Sequence, residues 1–129
     1  MKIIVDTNIL LATAMDEPEK PNITRLTSGM ELLAPEVLPF EIGNAISALL
    51  KKKIITSDEA ISVWEATQHI PVELLPIDIE MALKIAVRLN IYAYDAYFLQ
   101  CSIEQRCPLL TLDRRLKDNA SKLNIEIME

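Results

Sequence analysis

Glycine is nearly absent from this sequence, with two in 129 residues. That scarcity excludes a glycine-rich phosphate loop and argues against a turn-rich all-β fold. Histidine occurs once and cysteine twice, in no ligand spacing, so a zinc site of four nitrogen and sulfur ligands is excluded. No uninterrupted apolar run reaches the ~18 residues that a membrane-spanning helix needs. The opening, Met1-Lys2-Ile3-Ile4-Val5-Asp6, turns acidic before the apolar core of a signal peptide can develop. The expected location is therefore the cytoplasm, with no membrane partner and with Cys101 and Cys107 as reduced, structural thiols. No serine lies in a nucleophile-elbow motif and no Cys/His pair offers a nucleophile. His69, near the end of a predicted helix, is read as a helix-terminal surface residue.

What is present is half apolar and a quarter charged, the balance of a globular protein. The length suits one well-buried domain over residues 1–129 and is too short for two ordinary ones. The net charge of −6 is unfavourable for a nucleic-acid enzyme, which usually presents a basic face. Four of those negatives are the candidate metal ligands developed below, which leaves −2 for the rest, and bound cations would invert the local field.

Lys2–Asp6 reads as a buried strand and Asn8–Met15 as a mostly buried helix. Asp16–Pro21 is a proline-bracketed loop, followed by a short helix at Asn22–Thr27 capped by Asn22 and a strand at Glu31–Ala34. Pro39 fits the first turn of a helix running to about Lys52, with Ile42, Ala45, Ile46, Leu49 and Leu50 on its core stripe. Ser57-Asp58-Glu59 starts a helix to about Gln68, Val72–Ile77 is a strand, and Asp78 caps a helix to Leu89. Tyr94–Gln105 is a helix with Phe98, Leu99 and Ile103 inward. Pro108–Leu112 is a strand, Asp113–Leu123 a helix and Ile125–Ile127 a final strand. This alternation predicts an α/β fold, a mainly parallel sheet of about five strands with helices on both faces. Ligands in such sheets bind outside the carboxyl ends of the strands.

Asp6 closes the first strand and Asp113 follows Leu109-Leu110-Thr111-Leu112 at the end of the fourth, so both lie on that rim. Each alone has an ordinary reading as a helix cap. Glu41 lies three residues after Leu38 and four before Ala45, on or beside the apolar stripe of its helix. A carboxylate so placed must be paired, neutralised or bound to a metal; the plainer alternative is a first-turn glutamate facing water. Asn44 is on the same side and is expected to orient Glu41 by a hydrogen bond. Asp95 opens the helix at Tyr94-Asp95-Ala96-Tyr97-Phe98-Leu99, among apolar and aromatic side chains, where a buried cap is the alternative. Together the four would repel strongly without cations among them. Oxygen ligands suit hard divalent ions such as Mg2+, which keep several waters. Metal-assisted phosphodiester hydrolysis is the reaction class that fits.

Four ordered blocks carry a resemblance: Ile4-Val5-Asp6-Thr7-Asn8, Pro35 to Ala45, Tyr94 to Leu99, and Pro108 to Leu116. With these the sequence resembles the PIN-domain nucleases, most closely the VapC-type toxins of toxin–antitoxin pairs. The resemblance implies an Mg2+- or Mn2+-dependent endoribonuclease, often a homodimer, held inactive by a cognate antitoxin. It implies Asp6 and Asp95 as principal metal ligands, Glu41 as a further ligand or water-activating base, and Asp113 completing the acidic cluster. Asn8 and Thr111 match positions that are polar in the family. Arg114, Arg115, Lys117 and Lys122 follow the fourth carboxylate, as backbone-phosphate contacts or as a solvated helix face. Lys51-Lys52-Lys53 reads as a favourable helix end. The rival reading is a catalytically silent PIN-like module that binds RNA or protein. A phosphoacceptor receiver domain would need an acceptor aspartate at a central strand end and a lysine after a late strand. A haloacid-dehalogenase-type phosphatase would need a second aspartate two residues after Asp6, where Asn8 stands.

Overall fold

The computed structural model describes residues 1–129. Its chain begins with β1 (Lys2–Val5), α1 (Thr7–Ala14), α2 (Lys20–Thr27), β2 (Glu31–Pro35), α3 (Leu38–Lys51) and α4 (Ser57–Gln68). It continues with β3 (Glu73–Leu75), α5 (Ile79–Leu89), α6 (Ala93–Gln105), β4 (Leu109–Leu110) and α7 (Arg114–Lys122). The four strands form one sheet in the order β3-β2-β1-β4, every pair parallel. Ile3, Ile4 and Val5 point alternately to opposite faces, yet all three are fully buried, so both faces of β1 are covered. Helix α6 packs across β1, β2 and β4, contributing the fully buried Leu99 and the nearly buried Phe98.

The sheet has four strands rather than about five. Ile127 pairs with Leu109 as an isolated parallel bridge only, held by Leu109 N–H to the Glu126 carbonyl and Met128 N–H to the Leu109 carbonyl. Its partner strand β4 is two residues long and offers no further ladder. That shortness has a tertiary cause. Past Leu110 the backbone turns to side-chain partners, and the Leu112 N–H donates to the Asn8 side-chain carbonyl at 3.1 Å. Strand β3 is likewise confined to Glu73–Leu75, because Pro71 and Pro76 flank it and neither can donate to a ladder.

Helix α2 begins at Lys20, with Pro21 in its first turn, a place where proline's fixed φ favours a helix. Asn22 therefore does not cap it; its side-chain oxygen instead accepts from the Arg25 guanidinium at 2.6 Å. Helix α3 turns Leu38, Ile42 and Ile46 inward, while Leu50 at 36 % exposure lies on its solvent side. Ile103 on α6 is also exposed. Thr56 and Glu59 form a reciprocal capping box at the start of α4, and Asp78 caps α5. His69 ends α4 at the surface. Both cysteines are free thiols. No helix is long and apolar enough to cross a membrane.

Candidate active site

The strand order places β1 between β2 and β4, so the chain leaves β1 on one side and returns on the other. In open parallel sheets this switch point opens a crevice at the carboxyl ends of the two strands. Asp6 follows β1 directly and Thr111 follows β4 directly, and their side chains join across the crevice: the Thr111 hydroxyl donates to Asp6 Oδ2 at 2.7 Å. Asn8 Nδ2 donates to the same oxygen at 3.2 Å, and the Thr7 N–H donates to Asp6 Oδ1 at 2.7 Å. Asp6 is thus the N-cap of α1 and at the same time a residue of the cleft lining. Thr111 Oγ1 also accepts from Asn8 Nδ2 and from the Asp113 N–H. One buried hydroxyl therefore organises three of the residues expected at the site.

Asp113 caps α7, its Oδ1 accepting from the Arg115 and Leu116 N–H groups. Glu41 projects from the first turn of α3 and accepts at Oε2 from the Thr7 hydroxyl at 3.0 Å. That partner was expected to be Asn44. Asn44 is exposed on the cleft wall, and its backbone carbonyl accepts from Ser47. Thr7 is the site residue that sequence reasoning missed. Its signal was faint: a threonine beside Asp6 is legible, but its pairing with a glutamate 34 positions away depends on how α1 and α3 pack. Asp95 lies in the first turn of α6, whose cap position belongs to Tyr92, so Asp95 is not a buried cap.

All four carboxylates line one cleft of about 510 Å³, together with Thr7, Asn8, Asn44 and the rings of Phe40 and Tyr94. No lysine or arginine lines it. Burial pushes the Asp6 carboxyl above its ordinary range, and the charges of Asp95 and Asp113 push it the same way, against the hydrogen bonds from Thr111 and Thr7. Burial, with the charges of Asp6 and Asp95, raises Glu41 to about 7 despite the Thr7 hydroxyl. Asp95 is raised by burial and by Asp113, with the Arg115 charge pulling against them and no hydrogen bond to offset the cost. Arg114 and Arg115 are exposed and do not line the cleft. Lys117 is engaged with Glu129 at 3.3 Å.

The donor set is all oxygen, which fits a hard divalent cation. It is an open set, since no three or more His, Cys, Asp or Glu side chains are grouped to hold an ion by themselves. Asp6 already accepts three hydrogen bonds of the roughly four its lone pairs allow. Asp113 Oδ2 and Glu41 Oε1 take no hydrogen bond. Such a site suits an ion that takes few protein oxygens and keeps most of its water, the habit of Mg2+.

Comparisons with known proteins identify the family and the fold. The PIN domain family model matches residues 3–122. Ribonuclease VapC3 of Pyrobaculum aerophilum is 24% identical over 123 residues, covering 92% of this chain and 94% of that protein. Among solved structures, a Pyrobaculum aerophilum protein superposes with a TM-score of 0.70 at 19% identity, over 92% of this chain and 79% of its own. VapBC2 from Rickettsia felis, crystallised with a DNA fragment from the promoter, gives a TM-score of 0.70 at 14% identity over 98% and 97% of the two chains. A family model that spans nearly the whole chain sets aside the receiver and dehalogenase readings: the chain belongs to the PIN domain family.

Proposed function

We propose that this protein is an Mg2+- or Mn2+-dependent endoribonuclease, the VapC-type toxin of a toxin–antitoxin pair. The observation that carries the reading is the convergence of Asp6, Glu41, Asp95 and Asp113 on one cleft without a single cationic side chain. Three of the four are pushed toward protonation by that environment. A cluster so placed is costly for folding and is explained by a positively charged ligand. The name of the Pyrobaculum relative, a ribonuclease, and the VapBC2 assembly support the class of reaction and an antitoxin partner.

A divalent cation bound here would supply the charge that stabilises phosphodiester hydrolysis and lowers the pKa of water. The chain's own groups divide the remaining work. Asp6 and Asp95 are the proposed principal ligands, Asp6 fixed by its three hydrogen bonds and Asp95 free to meet the ion. Glu41, whose Oε2 is held by the Thr7 hydroxyl while Oε1 takes no hydrogen bond, is suited to take the proton of the attacking water at Oε1. Asp113 adds an oxygen from the far wall. Asn8 and Thr111 act as positioning residues, since their polar atoms are spent on Asp6, Asp113 and Leu112.

The protein is placed in the cytoplasm with RNA as its substrate. A homodimer is proposed as well, supported by an apolar stripe on α5: Ile79, Leu83 and Val87 are 54%, 49% and 83% exposed. The test is cleavage of single-stranded RNA with and without Mg2+ or Mn2+. Cleavage is expected only with metal, and Asp95→Asn is expected to reduce it by about a hundred-fold or more, the scale of losing several kcal/mol of charge stabilisation. Metal-dependent cleavage that persists undiminished in Asp95→Asn would overturn the site. Metal-independent RNA binding without cleavage would favour the silent module.

A further inference from the structure

No lysine or arginine lines the cleft, and of the cations outside it Arg115 is the one whose charge reaches Asp95, so side-chain cations give a polyanion little hold inside the cleft. Aromatic residues are few here, two Phe, three Tyr and one Trp, and burial would be the usual use of so scarce a resource. Yet three rings are exposed, Tyr92 at 88%, Phe40 at 77% and Tyr94 at 59%, and of these Phe40 and Tyr94 open onto the cleft. Their placement follows one rule. Phe40 immediately precedes Glu41 in the first turn of α3, and Tyr94 immediately precedes Asp95 in the first turn of α6. Successive residues on a helix are turned about 100° apart, so Glu41 and Asp95, two of the four cleft carboxylates, each carry a ring beside them at the rim. Tyr94 is further held by Tyr97, edge to face, with centroids 5.9 Å apart and planes at 87°, a favourable arrangement for an aromatic pair.

We propose that Phe40 and Tyr94 are base-stacking residues that hold the nucleotides flanking the scissile phosphate of the RNA. The inference rests on the ribonuclease reading above, because a phosphodiester bond held at Glu41 and Asp95 brings its neighbouring bases to the two rings. Bases in a duplex have no free face to offer, whereas unpaired bases stack readily on aromatic side chains. Stacking needs no positive charge, is tolerant of base identity, and is worth about 1–3 kcal/mol per base.

Two arms test this. In steady-state cleavage of single-stranded RNA, Phe40→Ala and Tyr94→Ala are each expected to raise KM about ten-fold, with kcat changed much less. Phe40→Tyr and Tyr94→Phe are expected to restore KM, and duplex RNA of the same sequence to remain uncut. In the second arm, a short single-stranded RNA carrying the fluorescent base 2-aminopurine is titrated with Asp95→Asn protein, which prevents turnover. Binding is expected to quench the fluorescence, and the added Phe40→Ala or Tyr94→Ala change to abolish most of the quench. Loss of quench in these variants supports stacking even when the parent protein cuts no RNA, in which case only the hydrolysis reading falls. Cleavage and quench that both survive the alanine changes overturn the proposal while the nuclease reading stands, and assign the rings to a protein partner. Both side chains are largely solvated, so unchanged melting temperatures are expected and exclude misfolding as the cause.

Discussion

Replacing Glu41 by glutamine should make the metal-free protein more stable at pH 8 and leave it unchanged at pH 4. Glu41 is raised from its ordinary 4.5 to about 7, chiefly by burial. Its folded-state pKa thus exceeds its unfolded one, and the native state holds the extra proton between those values. Stability from this group is complete below about 4.5 and is lost as pH rises toward 7, because the unfolded chain ionises first. At about 1.36 kcal/mol per pH unit the full displacement corresponds to about 3.4 kcal/mol. Glu41 keeps part of its surface in water, and screening reduces the figure to about 1–2 kcal/mol. Glutamine has the same shape and keeps an oxygen to accept from the Thr7 hydroxyl, so only the charge is removed. For a chain of this size the gain corresponds to about 4–8 °C in Tm. Calorimetry of both proteins in EDTA, from pH 4 to pH 8, reads it directly. The expected gap opens between pH 4.5 and 7 and narrows when Mg2+ or Mn2+ is added, since a cation that binds only the folded protein stabilises the charged site more. An equal gap at every pH, or a glutamine variant that melts lower at pH 8, would refute the reasoning.

Three further outcomes are expected. Thr111→Val removes a hydroxyl that donates to Asp6 and accepts from Asn8 and Asp113, and should cost about 1–3 kcal/mol in urea unfolding, with no compensating gain from its methyl groups. Val87→Glu puts a charge into the exposed stripe of α5 and should convert the proposed dimer to monomer in analytical ultracentrifugation without lowering Tm; a parent protein that already sediments as a monomer, or a coefficient the substitution leaves unchanged, would refute this interface. The Cys101 thiol is pushed up to about 12 by burial, with Cys107 adding to it. Iodoacetamide at pH 8 should therefore spare it in the native protein and label it in urea, where the thiolate fraction recovers.

The order of elements was legible because the apolar residues repeat at helical or strand spacing, and because Asp6, Asp78 and Asp113 announce helix starts. The carboxylates were legible for a different reason. Glu41 and Asp95 sit where an apolar face should continue, and a charge there calls for an explanation. Less visible were the features set by tertiary partners. β4 ends early because Asn8, 104 positions away, takes the Leu112 N–H, and nothing in the local sequence announces that. Ile125–Ile127 has strand composition, but its neighbour is too short to pair with it. Asn44 was the nearest polar group to Glu41 along the helix, yet α1 brings Thr7 closer in space. Leu50 and Ile103 followed helical periodicity to positions that the packing leaves in solvent.

The way Asp113 meets α7 separates two requirements that usually share a side chain. Oδ1 holds the helix start through two backbone N–H groups, and Oδ2 is left to the cleft. Folding and chemistry at this position therefore belong to different atoms of one carboxylate. Asparagine can keep the first oxygen while replacing the second, so it removes the charge and spares the helix; alanine removes both at once. At Asp6 both oxygens are tied into hydrogen bonds, and no substitution separates them. Selection on the proposed reaction can therefore act on Asp113 with little consequence for the scaffold, whereas any change at Asp6 is felt by the sheet, the first helix and the proposed metal site together.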